Sequence, residues 1–150
     1  ERVKNARKEP HNWLTYSGDY AGWRHSELKQ INSLNVSGLA MDWVFQTGAT
    51  GVFEATPLVV DGIMYVTAQD NRAFALDART GRMLWRYQRP LPEKVTGVNR
   101  GFAILGNKLF LATLDAHVVA LDAKTGAVLW MWRRRSAGLP RWRRLSSKTK

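Results

Sequence analysis

The chain has 150 residues, 45% of them hydrophobic, which is enough for one packed domain. It contains no cysteine, so a disulfide framework, a cysteine-ligated zinc site and a thiol nucleophile are excluded. No run of about 18 apolar residues occurs, so the sequence predicts no membrane-spanning helix.

The formal net charge of +11 is concentrated at the C-terminus. Residues 133–150 carry eight Lys or Arg and no acid, which leaves +3 for residues 1–132 and +1 for residues 11–132. A nucleic-acid-binding domain spreads its basic residues over a folded face. The nearly neutral body of the chain therefore argues against that class of protein.

Residues 1–48 form the first predicted segment, and it ends in a strand. Its residues 42–46, Asp-Trp-Val-Phe-Gln, are similar to residues 84–88, Leu-Trp-Arg-Tyr-Gln, in a later part of the chain. We interpret this stretch as a faint first copy of an internal repeat.

The clear copies of the repeat lie in residues 49–132. Residues 75–85 recur as residues 120–130 at an offset of 45 without a gap, and eight of the eleven positions are identical. A period near 45 built from short strands is typical of four-stranded propeller blades. The sequence therefore predicts an all-β fold with two antiparallel blades, near residues 55–88 and 100–132.

Turn residues separate the predicted strands of each blade. Asp61-Gly62 predicts a tight hairpin between the first two strands, and Gly106-Asn107 takes the same place in the second copy. The third strands are predicted to begin with Phe74 and Leu76, and with Val119 and Leu121.

A second turn signal, Asp-Ala-Arg/Lys-Thr-Gly, follows each third strand. In this turn the aspartate is expected to accept backbone N–H groups, and the glycine supplies a positive φ. Trp85 and Trp130 then fall on the fourth strands, where a large flat side chain can fill the gap between neighbouring blades.

Residues 133–150 do not continue the repeat, because neither a polar loop nor another apolar strand is present. Interleaved Arg and Trp could bind anionic lipid or single-stranded nucleic acid. We interpret the segment instead as a basic tail that is disordered or read out of frame.

Two blades do not form a closed propeller. Repeat units bury their faces against neighbouring units, and roughly three or more are needed for stability. We therefore expect this chain to be a piece of a larger protein.

Three stretches in order resemble the pyrroloquinoline-quinone (PQQ)-dependent alcohol dehydrogenases. Residues 12–20, NWLTYSGDY, leading into residues 43–48, are similar to the N-terminal segment that crosses the propeller of that family and lends a strand to its last blade. Residues 53–62, FEATPLVVDG, resemble the start of its first complete blade. Residues 98–101, VNRG, resemble the start of its next blade. The resemblance covers about residues 12–130 and implies an eight-bladed propeller, of which this chain holds about two blades.

The resemblance also implies a PQQ site to which this chain contributes two residues. Arg100 would hydrogen-bond the quinone and stabilise its reduced form, and Glu54 would contact the edge of the cofactor. The alternatives are an Arg in a surface loop and a solvated carboxylate in a turn. In the family, the calcium or lanthanide ligands and the catalytic aspartate lie in later blades, so no catalytic or metal-binding residue is assigned here.

The chain departs from the family pattern at one place, and its three histidines form no cluster in the sequence. Many family members carry adjacent cysteines that form a disulfide against the cofactor, and Lys94 and Val95 occupy those positions here. His11, His25 and His117 are isolated in the sequence, and we interpret each as a surface or loop histidine.

The function implied by the resemblance is oxidation of a small alcohol by hydride transfer to the quinone, with an electron acceptor such as a cytochrome c. The resemblance implies a periplasmic location, although the chain opens on Glu1 without a leader pattern. Neither nucleic acid nor a membrane is expected as a partner, and this chain alone is expected to be inactive. The alternative is a non-catalytic propeller that serves as a protein-binding scaffold, like the outer-membrane assembly lipoprotein.

Overall fold

The computed structural model describes residues 2–92, 95 and 97–133. Within these ranges the chain forms two short 3-10 helices and eight β-strands. The helices are Val3–Lys8 and Val36–Gly38, and the strands are β1 Leu58–Val60, β2 Ile63–Ala68, β3 Arg72–Asp77, β4 Met83–Gln88, β5 Ala103–Leu105, β6 Lys108–Ala112, β7 His117–Asp122 and β8 Val128–Arg133. Apart from Arg133, the predicted basic tail lies outside the described residues.

The strands form two four-stranded antiparallel sheets, β1-β2-β3-β4 and β5-β6-β7-β8. Their registers repeat with the sequence: Leu58 pairs with Tyr65 in the first sheet, and Ala103 pairs with Phe110 in the second. A register shift follows Ala75 in one sheet and the corresponding residue of the other. The prediction of an all-β chain with two propeller blades is confirmed. The division of the chain at residues 48 and 132 stays a prediction.

The turns form as their residues predict. Asp61 and Gly62 both have positive φ, 51° and 80°, which matches the right-handed twist of the hairpin they join. In the turn after β3, Oδ1 of Asp77 accepts hydrogen bonds from the backbone N–H groups of Arg79 and Thr80, at 3.1 and 2.9 Å. Hydrogen bonds from Thr80 also hold the pKa of Asp77 below its usual range. The second blade repeats this turn with Asp122.

Two strand predictions differ from the structure. The third strands begin earlier than predicted, at Arg72 and His117, because Arg72 pairs with Ala68 of β2 and His117 pairs with Arg133 of β8. Residues 42–46 form no strand, because no other described segment pairs with their backbone. Their burial nevertheless alternates, with Trp43 and Phe45 half-buried between exposed neighbours, as in a strand that packs one face.

The main core lies between the two blades. Trp85 of β4 is 9% exposed, and its indole N–H donates to the backbone oxygen of Ala123 in the second blade at 3.0 Å. Its ring lies against Gly126, where an added Cβ would come within 2.7 Å. The buried residues around it come from both sheets: Leu58, Tyr65, Ala73, Ala75, Leu109, Leu111, Val119 and Leu121. Trp85 therefore fills the gap between the blades, as the sequence predicts.

A second contact of the same kind lies on the other side of the first blade. Trp43 packs on Gly81 and leaves no room for a Cβ there, as Trp85 does on Gly126. Phe45 meets Phe74 edge to face, with ring centroids 5.1 Å apart. Residues 42–46 therefore take the position against the first sheet that β4 takes against the second.

The N-terminal residues cover the free edge of β1. Trp13 exchanges two backbone hydrogen bonds with Val59, at 2.7 and 2.9 Å, and Leu14 is buried in the main core. The buried Asn12 accepts from the backbone N–H of Asp61 at 2.8 Å. Arg2 adds an ion pair to Asp61 at 2.7 Å. No helix in the part of the chain that the structure describes is long and apolar enough to cross a membrane.

Candidate functional site

The two predicted site residues lie at one end of the blades, which we call the upper end: the end at which β1, β3, β5 and β7 begin. Glu54 lies in the segment that leads into β1, and Arg100 lies in the segment that leads into β5. Nη2 of Arg100 is 3.0 Å from Oε2 of Glu54. The structure therefore brings together two side chains from different blades.

The pair is open to solvent. The side chain of Arg100 is 77% exposed and that of Glu54 is 37% exposed. A guanidinium has five N–H donors, more than one carboxylate can accept from, so Arg100 keeps N–H groups that can donate to a bound molecule. An exposed ion pair of this kind contributes little to stability, about 0–1 kcal/mol. A contribution to fold stability therefore does not explain why Glu54 and Arg100 lie together at this place.

Asn99 anchors the loop that carries Arg100. It is buried, its Nδ2 donates to the backbone oxygen of Ala112 at 2.8 Å, and its Oδ1 accepts from the backbone N–H of Gly101 at 3.0 Å. Sequence reasoning used Asn99 only as part of a motif and did not identify it as an anchor. The one signal available was an asparagine two residues before a glycine, because Asn side chains often accept from the backbone N–H two residues on.

Gly101 lets this loop approach the first blade closely. Its φ is 116°, a value that favours glycine, and an added Cβ would lie 2.9 Å from the backbone oxygen of Thr56. Thr56 follows Glu54 by two residues, so this contact holds the two segments of the site against each other. Of the two positions that carry cysteines in many family members, Val95 is half-buried and Lys94 lies outside the described residues.

A polar cluster joins the blades beside this site. Arg89 donates to Oδ2 of Asp115 through Nη2 at 2.7 Å and through Nε at 2.9 Å. Nδ1 of His117 lies 3.0 Å from the same oxygen. Oδ1 of the fully buried Asn71 accepts from the backbone N–H of Leu114 at 3.0 Å. The cluster ties the end of β4 and the β2–β3 turn to the second blade.

The cluster corrects the interpretation of His117 as a surface or loop histidine. Its side chain is only 13% exposed, because it begins β7 and packs beside Asp115 and Arg89 at the blade junction. Burial alone would raise the pKa of Asp115, but the hydrogen bonds and charge of Arg89 outweigh burial and lower this pKa to about 2. Asp115 is therefore ionised and paired at neutral pH.

No metal centre is present within residues 2–92, 95 and 97–133, where no group of three or more His, Cys, Asp or Glu side chains could hold an ion. His25 is exposed, and the ring of His11 lies 3.2 Å from Nδ2 of Asn12. The upper end thus presents the guanidinium of Arg100, the carboxylate of Glu54 and a close contact between the backbones of Gly101 and Thr56. It can bind an anionic or hydrogen-bonding ligand, and its described residues include no nucleophile paired with a base.

The sequence matches a family of dehydrogenases. Residues 13–132 match the family model described as "Glucose/ethanol/alcohol dehydrogenase, beta-propeller domain". A quinohemoprotein alcohol dehydrogenase of Pseudomonas putida is 40% identical over 120 residues, which is 76% of this chain and 17% of that protein. The 1-butanol dehydrogenase (quinone) of Thauera butanivorans is 46% identical over 121 residues, which is 77% of this chain and 19% of that protein.

Solved structures give the same result. A europium-containing methanol dehydrogenase superposes with a TM-score of 0.81 at 38% identity, over 89% of this chain and 25% of that one. The chain spans about a fifth of the length of the curated relatives it matches. Because the family model covers residues 13–132, the chain belongs to the β-propeller family of the PQQ-dependent glucose, ethanol and alcohol dehydrogenases.

Proposed function

We propose that this chain forms part of the cofactor site of a PQQ-dependent alcohol dehydrogenase, with Arg100 and Glu54 as its contribution. The observation that carries the proposal is the Arg100–Glu54 pair, 3.0 Å apart at the upper end of two adjoining blades. A protein-binding scaffold built from the same repeats needs neither residue at this place.

The residues present suit such a cofactor. PQQ is a tricarboxylate with an ortho-quinone, so it requires a cation and hydrogen-bond donors. Arg100 would donate to the quinone oxygens and stabilise negative charge on them, because a guanidinium presents several N–H groups in a fixed plane. Glu54 would hold the guanidinium in position and contact the edge of the ring. When bound, the cofactor supplies an oxidant for the alcohol that no side chain can provide.

The substrate and partners follow from the relatives as proposals. One relative is named a 1-butanol dehydrogenase and one solved structure a methanol dehydrogenase, so we propose a small alcohol as the substrate. That structure is also named as containing europium, so we propose calcium or a lanthanide as the metal. Two relatives are named quinohemoproteins, so we propose a haem-containing electron acceptor such as a cytochrome c. The periplasmic location rests on the family resemblance alone and stays a proposal. The metal ligands and the catalytic base would come from later blades. We therefore expect this chain alone to be inactive and to bind the quinone weakly.

A chimaeric dehydrogenase tests the proposal. Residues 13–132 of this chain would replace the matching stretch of the Thauera butanivorans enzyme, and 1-butanol turnover with added quinone would be measured. We expect turnover in the chimaera and a loss of about 100-fold on Arg100→Ala, the usual size for removing one charge-stabilising donor. Arg79→Ala, which removes an equal charge from an exposed turn, should leave turnover unchanged. An Arg100→Ala chimaera as active as its parent would contradict the proposal.

A further inference from the structure

The Arg100–Glu54 pair joins two blades, so its geometry depends on how these blades are held together at the upper end. The ion pair is exposed and contributes little to stability, so it cannot hold the blades at this distance by itself. Gly101 lies against the backbone of Thr56 beside the pair. Further contacts between the blades come from the turn between β6 and β7, residues 113–116, which we call the β6–β7 turn.

Two side chains bind the β6–β7 turn to the first blade. Oδ1 of the fully buried Asn71 accepts from the backbone N–H of Leu114 at 3.0 Å. Arg89 donates to Oδ2 of Asp115 through two nitrogens, and both side chains are largely shielded from solvent. Two charge-assisted bonds to one oxygen fix the direction of the guanidinium, and each is stronger than a neutral hydrogen bond. Asn71 and Arg89 therefore fix the place of the turn relative to the first blade.

The same turn supports the segment that carries Arg100 and links β4 to β5. Within this segment Gly97 lies against Leu114, whose side chain would be 3.3 Å from a Cβ placed on Gly97. Nδ2 of Asn99 donates to the backbone oxygen of Ala112, the residue before the turn, at 2.8 Å. The position of Arg100 thus depends on the turn through Asn99, its neighbour in the chain.

The β6–β7 turn is closed too tightly to absorb a displacement. The backbone N–H of Thr113 donates to the backbone oxygen of His117 at 2.8 Å, and the hydroxyl of Thr113 accepts from the N–H of His117 at 3.0 Å. The N–H of Ala116 donates to the oxygen of Thr113 at 3.1 Å, and Ala116 has a φ of 60°. A residue other than glycine keeps such a conformation only where the surrounding contacts impose it. A shift of Asp115 is therefore passed on to Ala112, which precedes Thr113 in the chain.

We infer that Asp115 is a positioning residue for the cofactor site, which acts with Arg89 through the β6–β7 turn to hold Arg100 at Glu54. When the carboxylate of Asp115 is lost, the turn keeps its hydrogen bond to Asn71 but is no longer held by Arg89. Arg100 and Glu54 then lose their fixed separation. The effect on this pair follows from the contacts alone, whereas the effect on a bound quinone rests on the function proposed above.

The first test is a double-mutant cycle followed by NMR on the full chain without a quinone. In the parent, Glu54→Gln should shift the side-chain Nε–H signal of Arg100, because it removes the charge paired with the guanidinium. In Asp115→Asn the same change should shift that signal by less than about half as much, because the pair is already loosened. Asp122→Asn is the matched control, since it removes a turn carboxylate from the opposite end of the same blade. In that control the shift caused by Glu54→Gln should keep its full size.

The second test measures the dissociation constant of the quinone in the chimaera. Asp115→Asn should weaken binding about fivefold, and adding Arg89→Gln should change little more, because the two side chains act as a unit. In an Arg100→Ala background, Asp115→Asn should change the affinity by less than about twofold, because its effect is exerted through Arg100. A general loss of stability would weaken binding in both backgrounds. Asp122→Asn should leave the affinity unchanged.

Arg89→Lys takes the place of Asp115→Asn if that variant unfolds the chain. It keeps the positive charge but loses one of the two bonds to Asp115, so both readouts should change by an intermediate amount. A shift on Glu54→Gln as large in the Asp115 or Arg89 variant as in the parent would overturn the inference. Equal weakening of quinone binding with and without Arg100 would also overturn it. Should Arg100→Ala leave the quinone affinity unchanged, the proposed function fails, and the NMR cycle alone decides the role of Asp115.

Discussion

Replacing Trp85 with alanine should lower the free energy of unfolding by about 4 kcal/mol, because it removes the side chain that joins the blades. Deleting a buried aromatic ring from a core costs about 3–5 kcal/mol. Trp85 is 9% exposed and contacts both sheets, so this range applies in full. The indole N–H also donates to the backbone oxygen of Ala123, and leaving that acceptor unpaired adds about 1 kcal/mol. These terms place the expected loss in the upper half of the range.

Urea unfolding followed by far-ultraviolet circular dichroism measures this loss, since seven tryptophans make fluorescence ambiguous. Trp23→Ala provides the matched control, because Trp23 is 69% exposed and should change the unfolding free energy by less than about 1 kcal/mol. Gly126→Ala should also destabilise the chain, because its φ is 73° and the ring of Trp85 fills the space for a Cβ.

The reasoning would be refuted by a loss below about 1 kcal/mol for Trp85→Ala, or by equal losses for Trp85→Ala and Trp23→Ala. Either result would mean that the blades unfold independently and that the contact between them carries little of the stability. Combining Trp85→Ala with Gly126→Ala adds a second check, because residues in direct contact should not have additive effects.

Three further predictions concern the upper end and the C-terminus. Asn99→Ala should cost about 1–2 kcal/mol in urea unfolding and weaken quinone binding in the chimaera, because it frees the loop of Arg100. The pKa of Asp115, about 2, lies below its usual value, so its stabilising effect of about 1–2 kcal/mol should be complete above about pH 5. That effect should disappear as the pH falls towards 2, and the wild-type and Asp115→Asn unfolding curves should converge there. Deleting residues 134–150 should sharply reduce retention on heparin without changing thermal unfolding, because these residues carry most of the net charge.

The parts of the fold that follow from local chemistry could be predicted from the sequence. The turn at Asp77 needs only a short side chain that accepts hydrogen bonds and a glycine four residues later, so these residue types predict the turn. The ungapped offset of 45 extends this prediction from one turn to whole blades. Residues 42–46 pack as a strand does but lack a hydrogen-bonding neighbour among the described residues, so the strand expected at the end of residues 1–48 stays a prediction.

The contacts between blades could not be predicted in this way. Arg89 belongs to one blade, and Asp115 and His117 belong to the other, so the contact between them depends on how the blades pack and not on sequence spacing. His117 consequently looked like an isolated surface residue. The resemblance named Glu54 and Arg100, but the residues alone gave no reason to expect a 3.0 Å contact between them. Asn99 was missed because a buried amide that serves as an anchor has no sequence pattern of its own.

The central claim, that Arg100 and Glu54 hold the cofactor, is tested most directly by the dissociation constant of the quinone in the chimaera. It would be measured by equilibrium titration for the parent, Arg100→Ala, Glu54→Gln and the double variant. We predict that Arg100→Ala weakens binding at least tenfold and that the effects of the two changes are not additive, because the side chains act as a pair. A quinone affinity in Arg100→Ala equal to that of the parent and of the Arg79→Ala control would contradict the account.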